Sequence, residues 1–176
     1  MSTVFSATTP IQLNWIKSRI KGRYELIANG PILGSLQRVG FWKSITQAEF
    51  KGRAWSFQRC GNATTKIMEE PGARLVAQFK PNWLGGGWLS FNDGERFQLI
   101  AEGFWQPVWS WLNAHGQKLL EVAPNEKCVR LTGMTGSDEL NSSQNRLPVL
   151  IMFSWHQILQ TNDNAAAVAA ISVAAG

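Results

Sequence analysis

Along most of the chain, apolar and polar residues alternate over short segments, and turn-forming sequences separate these segments. Residues 11–15 (Ile-Gln-Leu-Asn-Trp) alternate in this way, and residues 104–111 do so again. A period of two is typical of a half-buried strand. Asn29-Gly30 lies between two apolar segments, where it favours the positive φ angles of a tight hairpin turn. The pattern predicts a mainly β protein built from hairpins.

These strand-like segments follow one another about every ten residues, a spacing that is typical of antiparallel sandwiches and barrels. No helix-length segment separates them, so a parallel nucleotide-binding sheet of βαβ units is not expected. The predicted strands cover residues 11–15, 23–28, 31–36, 46–50, 53–58, 64–68, 74–80, 88–91, 96–100, 104–111, 118–122 and 127–131.

The segment 147–159 (Leu-Pro-Val-Leu-Ile-Met-Phe-Ser-Trp-His-Gln-Ile-Leu) differs from the rest because it is almost wholly apolar. A helix that is apolar on every side is typically enclosed by the protein. It is too short for a transmembrane helix, which needs roughly 20 apolar residues. We therefore expect a single domain over 11–162, in which a closed antiparallel β-barrel of about twelve strands surrounds a central helix at about 147–160. A polar linker (133–146) would precede the helix, and an Ala-rich tail (163–176) would follow it.

The amino-acid composition supports one globular domain and indicates the cellular compartment. The chain has 176 residues, 44% of them hydrophobic, with nine tryptophans and one tyrosine. The two cysteines, Cys60 and Cys128, do not form a disulfide framework, and the N-terminal residues do not resemble a signal peptide. A reduced, cytoplasmic setting is the expectation.

Positive charge is concentrated in the first third of the chain. Residues 11–60 hold nine Lys and Arg residues against Glu25 and Glu49, a local balance of +7 in a chain whose formal charge is +5. Such a segment can attract the phosphates of lipids or nucleic acids. The alternative is that these residues are solvated and protect sheet edges. The candidate anion-binding residues are Lys17, Arg19, Lys21, Arg23, Lys51 and Arg53.

The order of the elements resembles the tubby C-terminal-like fold, which tubby proteins, phospholipid scramblases and LURP-one-related proteins share. Residues 23–26 (Arg-Tyr-Glu-Leu) with Asn29-Gly30, residues 91–94 (Phe-Asn-Asp-Gly) with 97–99, residues 109–111 (Trp-Ser-Trp) with Gly116 and the helix from Leu147 carry the resemblance, over roughly residues 11–162. It implies a closed barrel around a hydrophobic helix. The phosphoinositide cluster of tubby proteins and the acidic calcium-binding segment of scramblases have no match here, so no site residue is transferred.

No motif predicts catalysis or a bound metal or cofactor. Residues 85–87 (Gly-Gly-Gly) precede a predicted strand rather than a helix, which favours a flexible hairpin connection over a phosphate-binding loop. His115 lies in a predicted turn, and His156 on the apolar helix is expected to be a hydrogen-bonded core residue. The spacing of histidines and cysteines does not resemble a zinc site.

Five tryptophans occur within about thirty residues of one another near the middle of the chain. Filling of the barrel core and its rim is the favoured interpretation, and stacking on nucleobases or insertion at a membrane interface is the alternative. The five residues are Trp83, Trp88, Trp105, Trp109 and Trp111.

The expected function is non-enzymatic binding of an anionic ligand, such as a lipid headgroup at a membrane surface, or of a protein partner. A nucleic-acid-binding protein that uses basic and aromatic residues is the alternative. An enzyme with its site at a barrel mouth is the third hypothesis, and it would need a cleft with convergent polar groups.

Overall fold

A computed structural model describes residues 11–39, 45–103, 107–132 and 146–174, which form a twelve-stranded barrel with one long helix. The expected polar linker lies almost entirely outside these residues. The strands are β1 (Gln12–Lys17), β2 (Arg23–Ile27), β3 (Ile32–Val39), β4 (Ile45–Phe50), β5 (Arg53–Arg59), β6 (Thr65–Glu70), β7 (Arg74–Pro81), β8 (Gly87–Phe91), β9 (Arg96–Glu102), β10 (Val108–Leu112), β11 (Lys118–Ala123) and β12 (Cys128–Leu131). The helix α1 covers Leu147–Ala174, and a short 3₁₀ turn covers Gly61–Ala63.

Each strand pairs antiparallel with the strand that follows it in sequence, and β1 pairs with β12 to close the barrel. The predicted closed antiparallel barrel is therefore confirmed. In such an arrangement, successive connections lie alternately at the two ends of the barrel. We call the end with the β2–β3 and β4–β5 turns, where α1 begins, the lower end. The opposite end, with the β1–β2 and β7–β8 connections, is the upper end.

Two hairpin turns at the lower end have the backbone geometry that their sequences predict. Asn29 and Gly30 have φ angles of 49° and 116°, and Lys51 and Gly52 have φ angles of 47° and 80°. Positive φ at both central positions matches the twist of the flanking strands, and glycine adopts it without steric cost. Phe50 pairs directly with Arg53 across the second turn.

The helix fills the barrel because its first turns are apolar on every side. Leu150, Ile151, Met152 and Phe153 are fully buried, and the ring of Phe153 contacts aromatic rings from several strands. Its centroid lies 4.9 Å from that of Phe79 on β7. Higher along the helix, Trp155 stacks on Trp15 of β1, with ring centroids 5.3 Å apart. The inward faces of the strands and the whole circumference of the helix thus form one continuous core.

The helix ends later than the sequence pattern predicts. It continues through the expected Ala-rich tail to Ala174, whereas an end at about residue 160 was expected from the polar segment 160–164. The exposure of Thr161, Asn162 and Asp163 shows that the polar segment marks the point where the helix leaves the barrel. A helix of 28 residues is about 42 Å long, more than the strands can enclose. Alanine, the best helix former, favours its continuation.

A few polar side chains are buried within the core and paired there. The indole N–H of Trp111 donates to the Ser154 hydroxyl at 2.7 Å, and this hydroxyl donates to the Leu150 carbonyl oxygen at 2.6 Å. Nδ1 of His156 lies 2.9 Å from the Thr46 hydroxyl oxygen. The expectation that His156 is a hydrogen-bonded core residue is confirmed. Burial, reinforced by the charge of Arg38, lowers the pKa of His156 to about 3, so this side chain is neutral in the folded protein near neutral pH.

Candidate functional site

The six basic residues predicted to bind anions do not form one cluster. Lys17 ends β1 at the upper end, Arg19 and Lys21 belong to the β1–β2 connection that follows, and Arg23 begins β2. Lys51 and Arg53 lie at the β4–β5 turn, at the lower end of the barrel. The antiparallel path of the chain separates these two groups by the length of the strands.

The β1–β2 connection presents positive charge that no carboxylate of the described residues compensates. Lys17, Arg19 and Lys21 are exposed, and none of them forms an ion pair with a residue that the structure describes. Arg23 differs, because its guanidinium Nε lies 3.5 Å from a carboxylate oxygen of Glu25. The three exposed residues are therefore available to a ligand.

Exposed apolar side chains gather at the same end. Among the described residues, seven large apolar side chains are exposed, and five of them lie at the upper end; Ile32 is at the lower end and Trp88 is on the outer wall. The five are Ile16, Ile20, Val39, Trp83 and Leu84. We call these five residues, together with Lys17, Arg19 and Lys21, the upper-end surface.

Trp83 and Leu84 are the most exposed of these residues, at 91% and 64%, and the loop between β7 and β8 holds them there. The side-chain oxygen of Asn82 accepts hydrogen bonds from the backbone N–H groups of Leu84 and Gly86, each at 3.0 Å. Gly85 has a φ angle of 88°, which glycine favours. A Cβ atom on Gly86 would lie 2.1 Å from the Leu99 carbonyl oxygen, so only glycine fits. The glycines thus belong to a hairpin connection, as predicted, but close backbone contacts make it tight rather than flexible.

Carboxylates near the upper end are already neutralised. Asp163 pairs with Arg38 where the helix leaves the barrel, and Glu126 in the β11–β12 turn pairs with Arg130. Within the described part of the chain, these ion pairs leave the free positive charges of the upper-end surface without competition from acidic groups beside them. An anion is therefore favoured there.

Three arginines lie together at the lower end, but acidic partners engage them. Arg53, Arg74 and Arg146 line a pocket of about 290 Å³. Arg53 and Arg74 both bind Glu69, and Arg146 binds Asp93 and Glu95. The hydrogen bond from Arg74, helped by Arg53, lowers the pKa of Glu69. Because each of these three guanidinium groups has a carboxylate partner, this pocket is an ion-pair network rather than an open anion site.

A third arrangement lies on the outer wall, where sequence reasoning assigned no site. A pocket of about 400 Å³ is lined by residues of β7, β8 and β9, including Lys80, Trp88 and Arg96. None of the seven lining residues is acidic. The net charge of residues 61–122 gave no sign of this pocket. The acidic residues of that segment nearly balance its lysines and arginines in number, but none of them lines the pocket. Alternation within the strands could have revealed it, since Lys80, Trp88 and Arg96 each occupy an outward position.

The tryptophans divide between two environments. Trp109 and Trp111 are buried on one face of β10, as the core interpretation predicts. The same interpretation is wrong for Trp83 and Trp88, since Trp83 is almost fully exposed and Trp88 is 44% exposed. Trp105 lies outside the described residues. The tryptophans of β10 are therefore buried in the core, and those of the β7–β8 hairpin face the solvent.

The remaining candidates for chemistry offer little. His115 lies in the β10–β11 turn, as predicted. Within the described ranges, histidine, cysteine and acidic side chains form no group of three that could hold a metal ion. Among the residues whose placement is described, no helix combines the length and the apolar character that crossing a membrane requires.

No family model, no curated protein and no solved structure matches this chain.

Proposed function

We propose that this protein is a non-enzymatic barrel that binds an anionic lipid surface through its upper-end surface. The observation that supports the proposal is the coincidence, at one end of the barrel, of exposed Trp83 and Leu84 with the free cations Lys17, Arg19 and Lys21. Membership of the tubby-like group and a cytoplasmic location stay predictions from the sequence.

The chemistry of this end fits an interface between water and lipid. Indole rings favour the headgroup region, where the ring is partly desolvated and its N–H remains hydrogen-bonded. Lysine and arginine near an anionic bilayer each contribute about 1 kcal/mol of binding free energy. The combination of apolar insertion and surface charge is the usual basis of reversible peripheral binding.

A protein partner is the competing occupant, because apolar residues with a basic rim also occur at protein interfaces. Two features favour lipid. Trp83 projects from a tight turn rather than lying in a flat patch, and the cations Lys17, Arg19 and Lys21 on the opposite side of the same barrel mouth have no acidic partner among the described residues. A partner protein would have to supply a pocket for the indole and an acidic surface across the mouth from it, whereas a lipid surface meets both sides at once.

Sedimentation with vesicles tests the proposal. Vesicles of phosphatidylcholine with phosphatidylserine should bind the protein, and vesicles of phosphatidylcholine alone should bind it much more weakly. Replacing Lys17, Arg19 and Lys21 together by Gln should weaken binding on the order of a hundredfold, since three charges are lost. The double variant Trp83→Ser, Leu84→Ser should weaken it about tenfold or more, since two apolar side chains no longer insert.

Matched controls come from the lower end. Ile32→Ser removes an apolar side chain of comparable exposure, and Lys51→Gln with Arg53→Gln removes two of the originally predicted cations. Both should leave vesicle binding unchanged. Equal binding to the two kinds of vesicle, or equal loss in upper-end and lower-end variants, would contradict the proposal.

A further inference from the structure

The outer wall formed by β7, β8 and β9 carries a second arrangement of free cations around an exposed aromatic ring. Lys80 and Trp88 are directly opposite each other on β7 and β8, and Ser90 lies opposite Gln78 on one side and Arg96 on the other. Neighbouring strands are about 4.8 Å apart, and residues two apart on one strand are about 7 Å apart. The indole of Trp88 is therefore flanked closely by Lys80 and lies within side-chain reach of Arg96.

The two cations on this wall have no acidic partner in the described part of the chain. Lys80 and Arg96 form no ion pair with any residue in the described ranges. The acidic residues nearest to Arg96 in sequence, Asp93 and Glu95, bind Arg146 instead. The lining also contains the neutral hydrogen-bonding side chains of Gln78 and Ser90 and lacks a carboxylate. This chemistry attracts an anion and supplies donors and acceptors for a polar ring.

Besides the two cations, the wall offers an aromatic surface on Trp88. Its side chain is 44% exposed on an outward strand position, while its neighbours Gly87 and Leu89 are buried. The strand therefore fixes the backbone at Trp88, and part of the indole ring remains open to a ligand. Stacking on an aromatic side chain is the usual way in which proteins hold a nucleobase, and lysine and arginine then bind the phosphates.

From this arrangement we infer that the β7–β9 wall is a binding site for a nucleotide. The base stacks on Trp88 and the phosphate is held by Lys80 and Arg96. The volume of about 400 Å³ is in the range of small-molecule sites. The site is separate from the upper-end surface, and it uses none of the residues that were predicted to bind anions.

The same chemistry is present in a free nucleotide and in a single strand of nucleic acid, and Lys66 distinguishes the two. Lys66 is an exposed residue of β6 and lies opposite Gln78 of β7, next to the residues that line the pocket. Lys66 is not part of the pocket lining, and a second phosphate of a strand that crosses from β9 to β6 would lie next to it. Lys66→Gln should therefore weaken binding of an oligonucleotide more than binding of AMP.

Calorimetric titration of the full chain with AMP, ribose 5-phosphate, adenosine and a short single-stranded oligonucleotide tests the site. AMP or the oligonucleotide should bind, and ribose 5-phosphate and adenosine should bind at least about tenfold more weakly, because each lacks one half of the recognition. Trp88→Leu and Arg96→Gln should each weaken binding about tenfold or more, and Lys127→Gln, an exposed cation on another part of the barrel, should have no effect. Circular dichroism verifies that the variants are folded.

The outcomes separate this site from the proposed lipid surface. Trp88→Leu and Arg96→Gln should retain vesicle binding, and the triple Gln variant at Lys17, Arg19 and Lys21 should retain nucleotide binding. Ribose 5-phosphate binding as tightly as AMP would reduce the wall to an unspecific anion site and overturn the inference. So would unchanged affinity in Trp88→Leu, or no binding of either AMP or the oligonucleotide.

Discussion

Trp111 of β10 donates its indole N–H to the hydroxyl of Ser154 on α1 at 2.7 Å, and both side chains are fully buried. This contact joins the wall of the barrel to the helix inside it. It also explains why a serine interrupts the apolar helix: a buried indole N–H without an acceptor costs free energy. Since Ser154 also donates to the Leu150 carbonyl oxygen, its hydroxyl is used in both directions.

We expect Ser154→Ala to lower the free energy of unfolding by about 1–3 kcal/mol, because the Trp111 N–H would stay buried without a partner. Urea denaturation measures this change. Thr161→Ala is the matched control, since Thr161 also donates to the helix backbone four residues earlier but is exposed. Its cost should be much smaller. Equal costs for the two variants would show that the bond to Trp111 contributes nothing specific.

Stability should depend on pH through His156. Its pKa in the folded protein is about 3, below its ordinary value of 6.5, so the unfolded chain binds a proton that the folded chain excludes. Stability is therefore complete above pH 6.5 and falls as the pH decreases, by about 2 kcal/mol at pH 5. Chemical denaturation at a series of pH values measures this slope.

The variant His156→Gln removes the titrating group, so its stability should be nearly flat between pH 7 and pH 5. Glu69 does not interfere in this range, because its lowered pKa lies below its ordinary value of 4.5. An unchanged slope in the variant would assign the pH dependence to other groups.

The β7–β8 loop should not tolerate a side chain at Gly86. A Cβ atom there would lie 2.1 Å from the Leu99 carbonyl oxygen, so β8 and β9 must move apart in Gly86→Ala. We expect a loss of about 1–3 kcal/mol of stability, measured as a shift of the urea midpoint. Gly72→Ala is the control, because it has open space around it and no positive φ. A similar loss in both variants would indicate a general effect of replacing glycine.

The two cysteines should differ in reactivity. Cys128 is fully buried, and burial raises the pKa of its thiol, whereas Cys60 is half-buried at the end of β5. A thiol reagent should therefore modify Cys60 in the native protein, and Cys128 should react only after denaturation. Cys60→Ser should abolish the native reaction. Rapid modification of the native Cys60→Ser variant would show that the barrel opens around Cys128.

The hairpins could be predicted from the chain because their signals are local. Alternation along Gln12–Lys17 and the Asn29-Gly30 turn reflect which face of a strand is buried and which φ angles a residue accepts, and both depend on adjacent residues. The helix start at Leu147 was predictable for the same reason. Its end at Ala174 was not predictable from the sequence. Only the height of the barrel shows that the polar segment 160–164 marks the exit of the helix from the barrel and not the end of the helix.

Ion pairs between distant parts of the chain were beyond sequence reasoning. Arg38 binds Asp163, which is 125 residues away, and Arg53 binds Glu69 of another strand. These pairs neutralise residues that contributed to the +7 balance of residues 11–60. A charge count cannot distinguish a paired arginine from the free Lys80 or Arg96, since the difference depends on which strands are neighbours.

By itself, the sequence determined the strand periodicity, the hairpin turns and the apolar helix that a closed barrel must enclose. Those features follow from local backbone preferences and from the need to bury apolar side chains. Only the tertiary structure decided which cations lack an acidic partner among the described residues and which tryptophans face water. Lys17, Arg19 and Lys21 lie at the same end of the barrel as Trp83, and Lys80 and Arg96 line the same pocket as Trp88. The physical reason is that pairing and exposure depend on strand order and register, which bring together residues that are far apart in the chain.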